Sequence, residues 1–302
     1  MHPESTPPAS PNPPSDIVVR TMTLDGAFRL ITVRTTDLVR EVVRIQGLHG
    51  QAARILGDLV TATVVIRETM APGYRVQAVI SQPGHATVVA DSHPSPQDPA
   101  IGALTRGLST HGDETPALAS LGPETIMKVM RSLPRSELHQ SVIAAEGRSV
   151  SDAVMTYLQS SAQVFAMTGV ATVVDDGHVV AAGGYLLQLL PDCPHGALAL
   201  MTERLAHDFA DLTPRLVEFD AIHQHLADEI FYGMPFAELA SSPLRFGCDC
   251  DDARMLTAVA TLGRDELNSI VAAGEIIDLN CEYCKTHYRV GPEQLRPLLM
   301  TN

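Results

Sequence analysis

A chain of 302 residues with a formal net charge of −14, 45% hydrophobic, 4% aromatic and without tryptophan, has length for one large domain with appendages or for two or three small ones. Strong acidity repels phosphate backbones, which argues against direct nucleic-acid binding, and no apolar run approaches the roughly 18–20 residues that span a bilayer. The N-terminus has no basic region followed by an apolar stretch, so no secretory signal is expected; five cysteines, an odd number, argue against a secreted disulfide scaffold and for a reducing cytoplasm, where paired thiols serve metal or redox chemistry.

Residues 1–16, MHPESTPPASPNPPSD, hold six prolines and little to bury, and read as a disordered tail. Order is expected from Ile17. FRLITVRT (28–35) reads as a strand from its β-branched residues and alternation. Thr36 then offers an N-cap to a helix with Leu38, Val39, Val42 and Ile45 at helical spacing. A second helix over 51–68 places Ala52, Ile55, Leu56, Leu59 and Ala62 on one side. YRVQAVIS (74–81) and ATVVADS (86–92) read as a strand pair joined by a turn at Gln82-Pro83-Gly84. ETIMKVMRS (124–132) reads as a further strand, 150–164 as a helix, and 169–192 as two strands around Asp175-Asp176-Gly177. Residues 17–194 are thus predicted as one α+β unit rich in antiparallel pairs. The absence of regular βαβ alternation disfavours a dinucleotide fold.

Residues 195–240 change character. Leu198, Met201, Leu205, Phe209 and Leu212 fall three or four apart, and so do Leu216, Phe219, Ile222, Leu226 and Ile230. The pattern predicts two amphipathic helices broken at Pro214, a helical linker. Eight acidic residues stand against two basic ones in this segment, so a solvated acidic face is the plain reading.

Residues 241–302 carry four of the five cysteines. The pattern is Cys248-x-Cys250, thirty residues, then Cys281-x-x-Cys284. Four thiolates suit tetrahedral zinc. Ile277 and Leu279 before the second pair, with Tyr288 and Val290 after it, read as the arms of a hairpin that offers two sulfurs from its tip. Between the pairs, Met255, Leu256, Val259 and Leu262 form one helical stripe and Leu267, Ile270 and Val271 the next, separated at Gly263. A helical hairpin can bring the two pairs together. A segment this small rarely draws more than about 3–5 kcal/mol from its core, whereas structural zinc contributes roughly 10–16 kcal/mol. The site therefore reads as a permanent zinc staple or, if its thiols oxidise reversibly, as a redox switch.

FGCDC (246–250), TLGRDELNSIVAAGEIIDLNCEYC (261–284) and the following YRV, together with VRIQGLHGQAARILGDLVTA (43–62) and AAGGYLLQLLPD (181–192), resemble the bacterial heat shock protein 33 family. The likeness runs from about residue 20 to 300. It implies an α+β client-binding domain, a helical linker and a zinc-binding redox domain, with Zn2+ held by Cys248, Cys250, Cys281 and Cys284. The resemblance further implies a chaperone that is inactive while reduced and zinc-bound. Oxidation would form Cys248–Cys250 and Cys281–Cys284 disulfides, release zinc and destabilise the linker. The exposed surface, often in a homodimer, would then hold unfolding client proteins without ATP under oxidative stress. In the resting state the apolar stripes of 195–240 would cover the N-terminal domain.

The sequence departs from the family pattern after the second cysteine, where Ser-Arg-Glu-Arg is usual and Asp251-Asp252-Ala253-Arg254 stands here. With Asp249 and Glu282, the site is expected to be ringed by carboxylates, opposed only by Arg254, Lys285 and His287. Such a ring would raise thiol pKa values and alter the rate of switching. Cys193 reads as a small residue at a domain boundary, or as a partner in mixed disulfides. His207, His223 and His225 are expected on solvated helix faces, and Gly183-Gly184 at a strand bend, since no phosphate-loop pattern surrounds it. No nucleophile motif stands out and no enzyme activity is expected. The other readings are a zinc-ribbon nucleic-acid-associated protein and an enzyme with a structural zinc tail. The first would need a basic face beside the zinc; the second has no motif in its favour.

Overall fold

Alternating apolar residues draw β1 (Ile17–Thr23) and β2 (Phe28–Arg34) into an antiparallel hairpin. The structure, a computed structural model, describes residues 16–95, 102–134, 136–191, 193–219 and 222–300. Helices α1 (Thr36–Gln46) and α2 (Gly50–Glu68) follow, then β3 (Arg75–Ser81), β4 (Val88–His93), β5 (Ala103–Ser109), β6 (Ile126–Ser132) and β7 (His139–Ala144). Helix α3 (Val150–Ser160) leads to the long hairpin β8 (Ala166–Asp175) and β9 (His178–Leu189). Three helices come next, α4 (His195–Asp208), α5 (Thr213–Glu218) and α6 (Ile222–Ile230), before β10 (Phe236–Phe246). The chain ends in α7 (Asp252–Val259), α8 (Arg264–Ala273), β11 (Ile277–Asn280), β12 (His287–Val290) and α9 (Pro292–Met300).

Ten strands form one sheet in the order β7-β6-β3-β4-β5-β10-β1-β2-β9-β8, and β11 and β12 form a separate hairpin. Every strand pair among the described residues is antiparallel except β10 with β5. This is the mixed α+β, antiparallel-rich architecture that the sequence predicts. β10 joins the two halves of the sheet, so the boundary drawn at 240/241 from the sequence falls inside a strand.

Helix α2 is apolar on nearly all sides because it is buried on nearly all sides, as such helices must be. It crosses one face of the sheet, and Val39, Val42, Leu56, Leu59, Ile66, Val76, Ile80 and Val129 share its core. A Cβ at Gly57 would lie 2.5 Å from Thr172 Oγ1 and 2.7 Å from Val39 Cγ1, so glycine there sets how closely α2 approaches α1 and β8. The N-terminus of α1 is capped from a distance. Thr35 occupies the N-cap position without a side-chain capping bond, its hydroxyl meeting that of Thr61 instead, and Thr36 donates to the Ala182 carbonyl. The Asp16 carboxylate accepts from the amides of Asp37 and Leu38 at 3.2 and 2.6 Å. Asp16, assigned from the sequence to the tail, is thus buried and structural; the rest of that tail lies outside the described residues.

A second core lies on the opposite face of β1, β2, β9 and β8. Phe28, Leu30, Tyr185 and Leu187 meet Met201, Leu205, Phe209, Leu212, Leu216, Ile222, Leu226 and Ile230 there. The segment forms three helices where two are predicted. Pro214 stands in the first turn of α5, where its missing amide costs nothing, and extended backbone at Phe219 ends that helix. Helices of six and nine residues do not persist alone in water, so α5 and α6 depend on the sheet beneath them. His225 is exposed and stacks on Phe219. His223, by contrast with the solvated position expected, is half-buried, and its Nδ1 lacks a partner among the described residues.

Gly183 and Gly184 do not bend their strand. They pair regularly with Arg34 and Val33 on one side and with Ala171 and Val170 on the other. A Cβ at Gly184 would strike the carbonyl oxygen of Gly169, so close strand approach explains the residue.

Candidate metal centre

The end of β10 delivers the first cysteine pair. Gly247 donates its amide to the Thr105 carbonyl at 3.2 Å, and Cys248 and Cys250 follow before α7. Asp251 caps α7 by accepting from the Arg254 amide at 2.8 Å. Helices α7 and α8 meet at Gly263, the N-cap of α8, as the sequence predicts. The second pair sits at the tip of the β11–β12 hairpin. There Cys281 donates to the Thr286 carbonyl at 2.9 Å and accepts from the Lys285 amide at 2.7 Å, and Lys285 takes φ 57° to close the turn. A small core of Val259, Leu267, Val290 and Leu295 supports the unit.

The ligand sulfurs of Cys248, Cys250, Cys281 and Cys284 all lie within 4.8 Å of one another. The close pairs run across the motifs, 3.6 Å for Cys248–Cys281 and 3.3 Å for Cys250–Cys284, and all four are free thiols. A tetrahedral zinc with sulfur at about 2.3 Å would require sulfur–sulfur edges of about 3.8 Å, so the set fits such an ion. The donors also call for one. Burial pushes the Cys248 thiol up and that of Cys250 up to about 12. Burial acts against Cys284 too, but hydrogen bonds with Thr286 and the neighbouring thiols bring it down to about 7. Four thiolates this close need a cation to ionise together. The Tyr288 hydroxyl donates to Cys250 Sγ at 3.1 Å, and the Cys284 thiol reaches Thr286 Oγ1 at 3.1 Å.

The centre is docked on the sheet by residues the sequence did not single out. Arg106 of β5 donates through Nη1 to Cys248 Sγ at 3.3 Å and to Asp249 Oδ1 at 2.6 Å. Its Nε donates to Asp91 Oδ2 at 3.0 Å, and its guanidinium lies 4.3 Å from the centre of the Tyr283 ring. Asp91 is wholly buried and also takes a forked bond from Arg75 at 2.8 and 2.9 Å. Gln77 Nε2 donates to the Tyr283 hydroxyl at 3.0 Å. Gln46 Nε2, at the end of α1, donates to the carbonyls of Glu282 and Tyr283 at 2.9 and 3.1 Å. The available signal was the polar alternation of Arg75 and Gln77 in β3, which marks a sheet face that does not meet the apolar core.

The carboxylates are opposed more fully than the sequence indicates: Arg254 and Lys285 meet Asp249 and Glu282 as expected, and Arg106 is added to them. Asp249 is paired with both Arg106 and Arg254; burial opposes its charge, but those guanidinium groups hold its carboxyl below the usual range. Asp251 caps α7, Asp252 lies in its first turn, and Glu282 pairs with Lys285 at 2.9 Å. His287 turns to Asp278 at 3.1 Å. The sequence could not show the contribution of Arg106, which comes from a strand 143 residues away. Cys193 stands apart, half-buried at the mouth of an apolar groove between α4 and the start of β8.

An α+β sheet platform with an appended cluster of four cysteines defines a protein with a candidate thiolate metal centre. A family model described as Hsp33 protein matches residues 16–291. The 33 kDa chaperonin of Syntrophotalea carbinolica is 29% identical over 292 residues, covering 94% of this chain and 99% of that protein. The 33 kDa chaperonin of Bacillus subtilis is 24% identical over 290 residues, covering 94% and 98%. The crystal structure of the Thermotoga maritima 33 kDa chaperonin superposes with a TM-score of 0.77 at 19% identity, covering 95% of this chain and 98% of that one. The chain belongs to the Hsp33 family, a family of chaperones and not of enzymes. No helix among the described residues is long and apolar enough to cross a membrane.

Proposed function

We propose that this protein is a redox-controlled, ATP-independent holdase, resting while reduced and loaded with zinc on Cys248, Cys250, Cys281 and Cys284. The observation that carries this reading is the cluster of four free sulfurs within 4.8 Å, two of them directly after the end of a strand of the large sheet. Zinc, when bound, would hold four thiolates in one place and supply folding free energy to a unit whose own core is the small cluster of Val259, Leu267, Val290 and Leu295. Membership of a chaperone family gives unfolded client proteins as the partner.

Oxidation would form one disulfide within each motif, Cys248–Cys250 and Cys281–Cys284. Each bond removes two electrons from a pair of thiolates, and a peroxide takes them up with two protons from solvent, to leave two waters or an alcohol and one water. Because the close sulfur pairs lie across the motifs, pairing within each motif dismantles the tetrahedron and with it the docking through Arg106. The short helices α5 and α6, dependent on the sheet, would then be free to leave. Their departure would uncover Phe28, Leu30, Tyr185 and Leu187 as apolar surface for clients and for a second copy of the chain. The division into a client-binding unit (17–194), a helical linker (195–240) and a zinc-binding unit (241–302), and a cytoplasmic setting, belong to the same reading. The zinc-ribbon alternative gains nothing here, since Arg75 and Arg106 are engaged by Asp91 and Asp249 and offer no basic face.

Peptide mapping after peroxide treatment tests the pairing. The proposal expects disulfide-linked fragments within each motif, together with loss of one zinc per chain. Cross-motif bonds, or zinc retained through full oxidation, would contradict it.

A further inference from the structure

A protein of net charge −14 gathers three arginines at one end of α2. Arg20 on β1, Arg29 on β2 and Arg67 in the last turn of α2 surround a single carboxylate, Glu68. With Ser242 of β10 they line a cavity of about 660 Å³. No other acidic residue and no aromatic ring lines it among the described residues.

Two of the three guanidinium groups are accounted for by the fold. Arg20 donates to Glu68 through Nε at 2.8 Å and through Nη2, and Nη2 also reaches Ser242 Oγ at 3.0 Å. Arg67 donates to Glu68 Oε1 at 3.1 Å, to the Tyr74 carbonyl at 3.0 Å and to the Pro72 carbonyl at 2.9 Å. Arg29 is different. Among the described residues it makes one hydrogen bond, a long one of 3.3 Å from Nη2 to the Glu68 carbonyl at the end of α2. Its Nε and Nη1 find no acceptor among the described residues. Half-burial and the neighbouring charge of Arg20 both act against its ionisation.

One carboxylate and the negative end of a helix leave three guanidinium charges incompletely balanced. The natural complement of unpaired guanidinium donors is an oxyanion, which their planar fork matches. The cavity is of ligand-binding size, and without an aromatic ring it offers no platform for a nucleobase. We propose that this cavity binds inorganic phosphate, single or condensed, with Arg29 as principal donor and Arg20 and Ser242 beside it. An anion bridging Arg29 to Ser242 would also tie β10 to β2. This inference does not rest on the redox reading.

The test uses the full-length reduced, zinc-loaded chain, titrated calorimetrically and by thermal melting with orthophosphate and with pyrophosphate at constant ionic strength. Saturable binding and a rise in melting temperature beyond that given by sodium chloride are expected for at least one of the two. Arg29→Gln, with its fold checked by circular dichroism, should weaken binding about tenfold or more, as loss of a charge-assisted bond does. Arg29→Lys keeps the charge but loses the fork and should also bind more weakly than the native chain; it decides the matter if the glutamine variant does not fold. Chloride reproducing the whole shift would mean charge screening alone. That result, no saturable binding of either anion, or affinities unchanged in the variants would overturn the proposal.

Discussion

Arg106 and Asp249, 143 positions apart in sequence, meet at 2.6 Å. Through this pair the four-cysteine centre is held on the sheet. The same guanidinium touches Cys248 Sγ, Asp91 and the face of Tyr283, so one buried side chain joins the thiol centre to the body of the molecule.

Replacing Arg106 should therefore loosen the centre while leaving all four cysteines in place. Breaking a buried ion pair from one side costs about 3–5 kcal/mol. Arg75 remains on Asp91, so the lower end of that range is expected for Arg106→Ala in thermal or denaturant unfolding. Zinc should also pass to a chromogenic chelator faster than from the native chain. An unchanged transfer rate would remove Arg106 from the coupling.

The apolar seam beneath α4–α6 gives a second expectation. Leu226 is fully buried against the sheet, and truncating such a residue costs about 2–5 kcal/mol. Leu226→Ala should loosen α6 while all four thiols stay reduced. Binding of a hydrophobic dye, and suppression of client aggregation, should then appear in the reduced protein.

Asp251 and Asp252 should matter little to switching. Asp251 acts as a helix cap, a role serine fills equally well, and Asp252 sits favourably in the first turn of α7. Asp251→Ser with Asp252→Arg should change the rate of peroxide-driven zinc release by no more than about twofold, as exposed charges contribute little. A larger change in a peroxide time course would restore the idea of an acidic brake.

Asp58 on α2 sets a pH dependence. Its Oδ1 and the Oγ1 of Thr172 lie out of reach of water with no partner among the described residues. Burial pushes its pKa from 3.8 up to about 7, although Thr172 and Arg54 favour the charged form. The folded state thus binds more protons than the unfolded one between about pH 4 and 7. This group's contribution to stability is full below about pH 4 and is lost as pH rises through about 7. Between about pH 4 and 7 the native chain should lose stability relative to Asp58→Asn, which carries no titrating group there. Parallel melting curves for the two proteins across that range would contradict the assignment.

Much of this was legible because the patterns were local. The stripes of α1, α2 and α4–α6, the β8–β9 turn at Asp176-Gly177 and the two cysteine pairs follow from spacing alone. β10 was not legible. Its segment FAELASSPLRF holds two serines and Pro243 and is largely exposed, whereas a proline argues against an interior strand. Pairing with β1 and β5 on either side, not its own propensity, makes it a strand. β5, with Arg106 and Gly107 at its middle, hid for a similar reason. The docking of the thiol centre through Arg106, Gln46, Gln77 and Tyr283 was hidden because every one of those contacts spans more than 140 residues.

The central claim is that the four cysteines control chaperone activity through zinc. The direct measurement follows both quantities in the same samples: reduced, zinc-loaded protein is treated with peroxide at elevated temperature. Freed zinc is read with a chelator, and protection is read as suppressed aggregation of a thermally unfolding enzyme. Zinc release and protection are expected to rise together and to reverse when thiols are restored. Protection that is absent or unchanged while zinc is retained would reduce the centre to a structural staple.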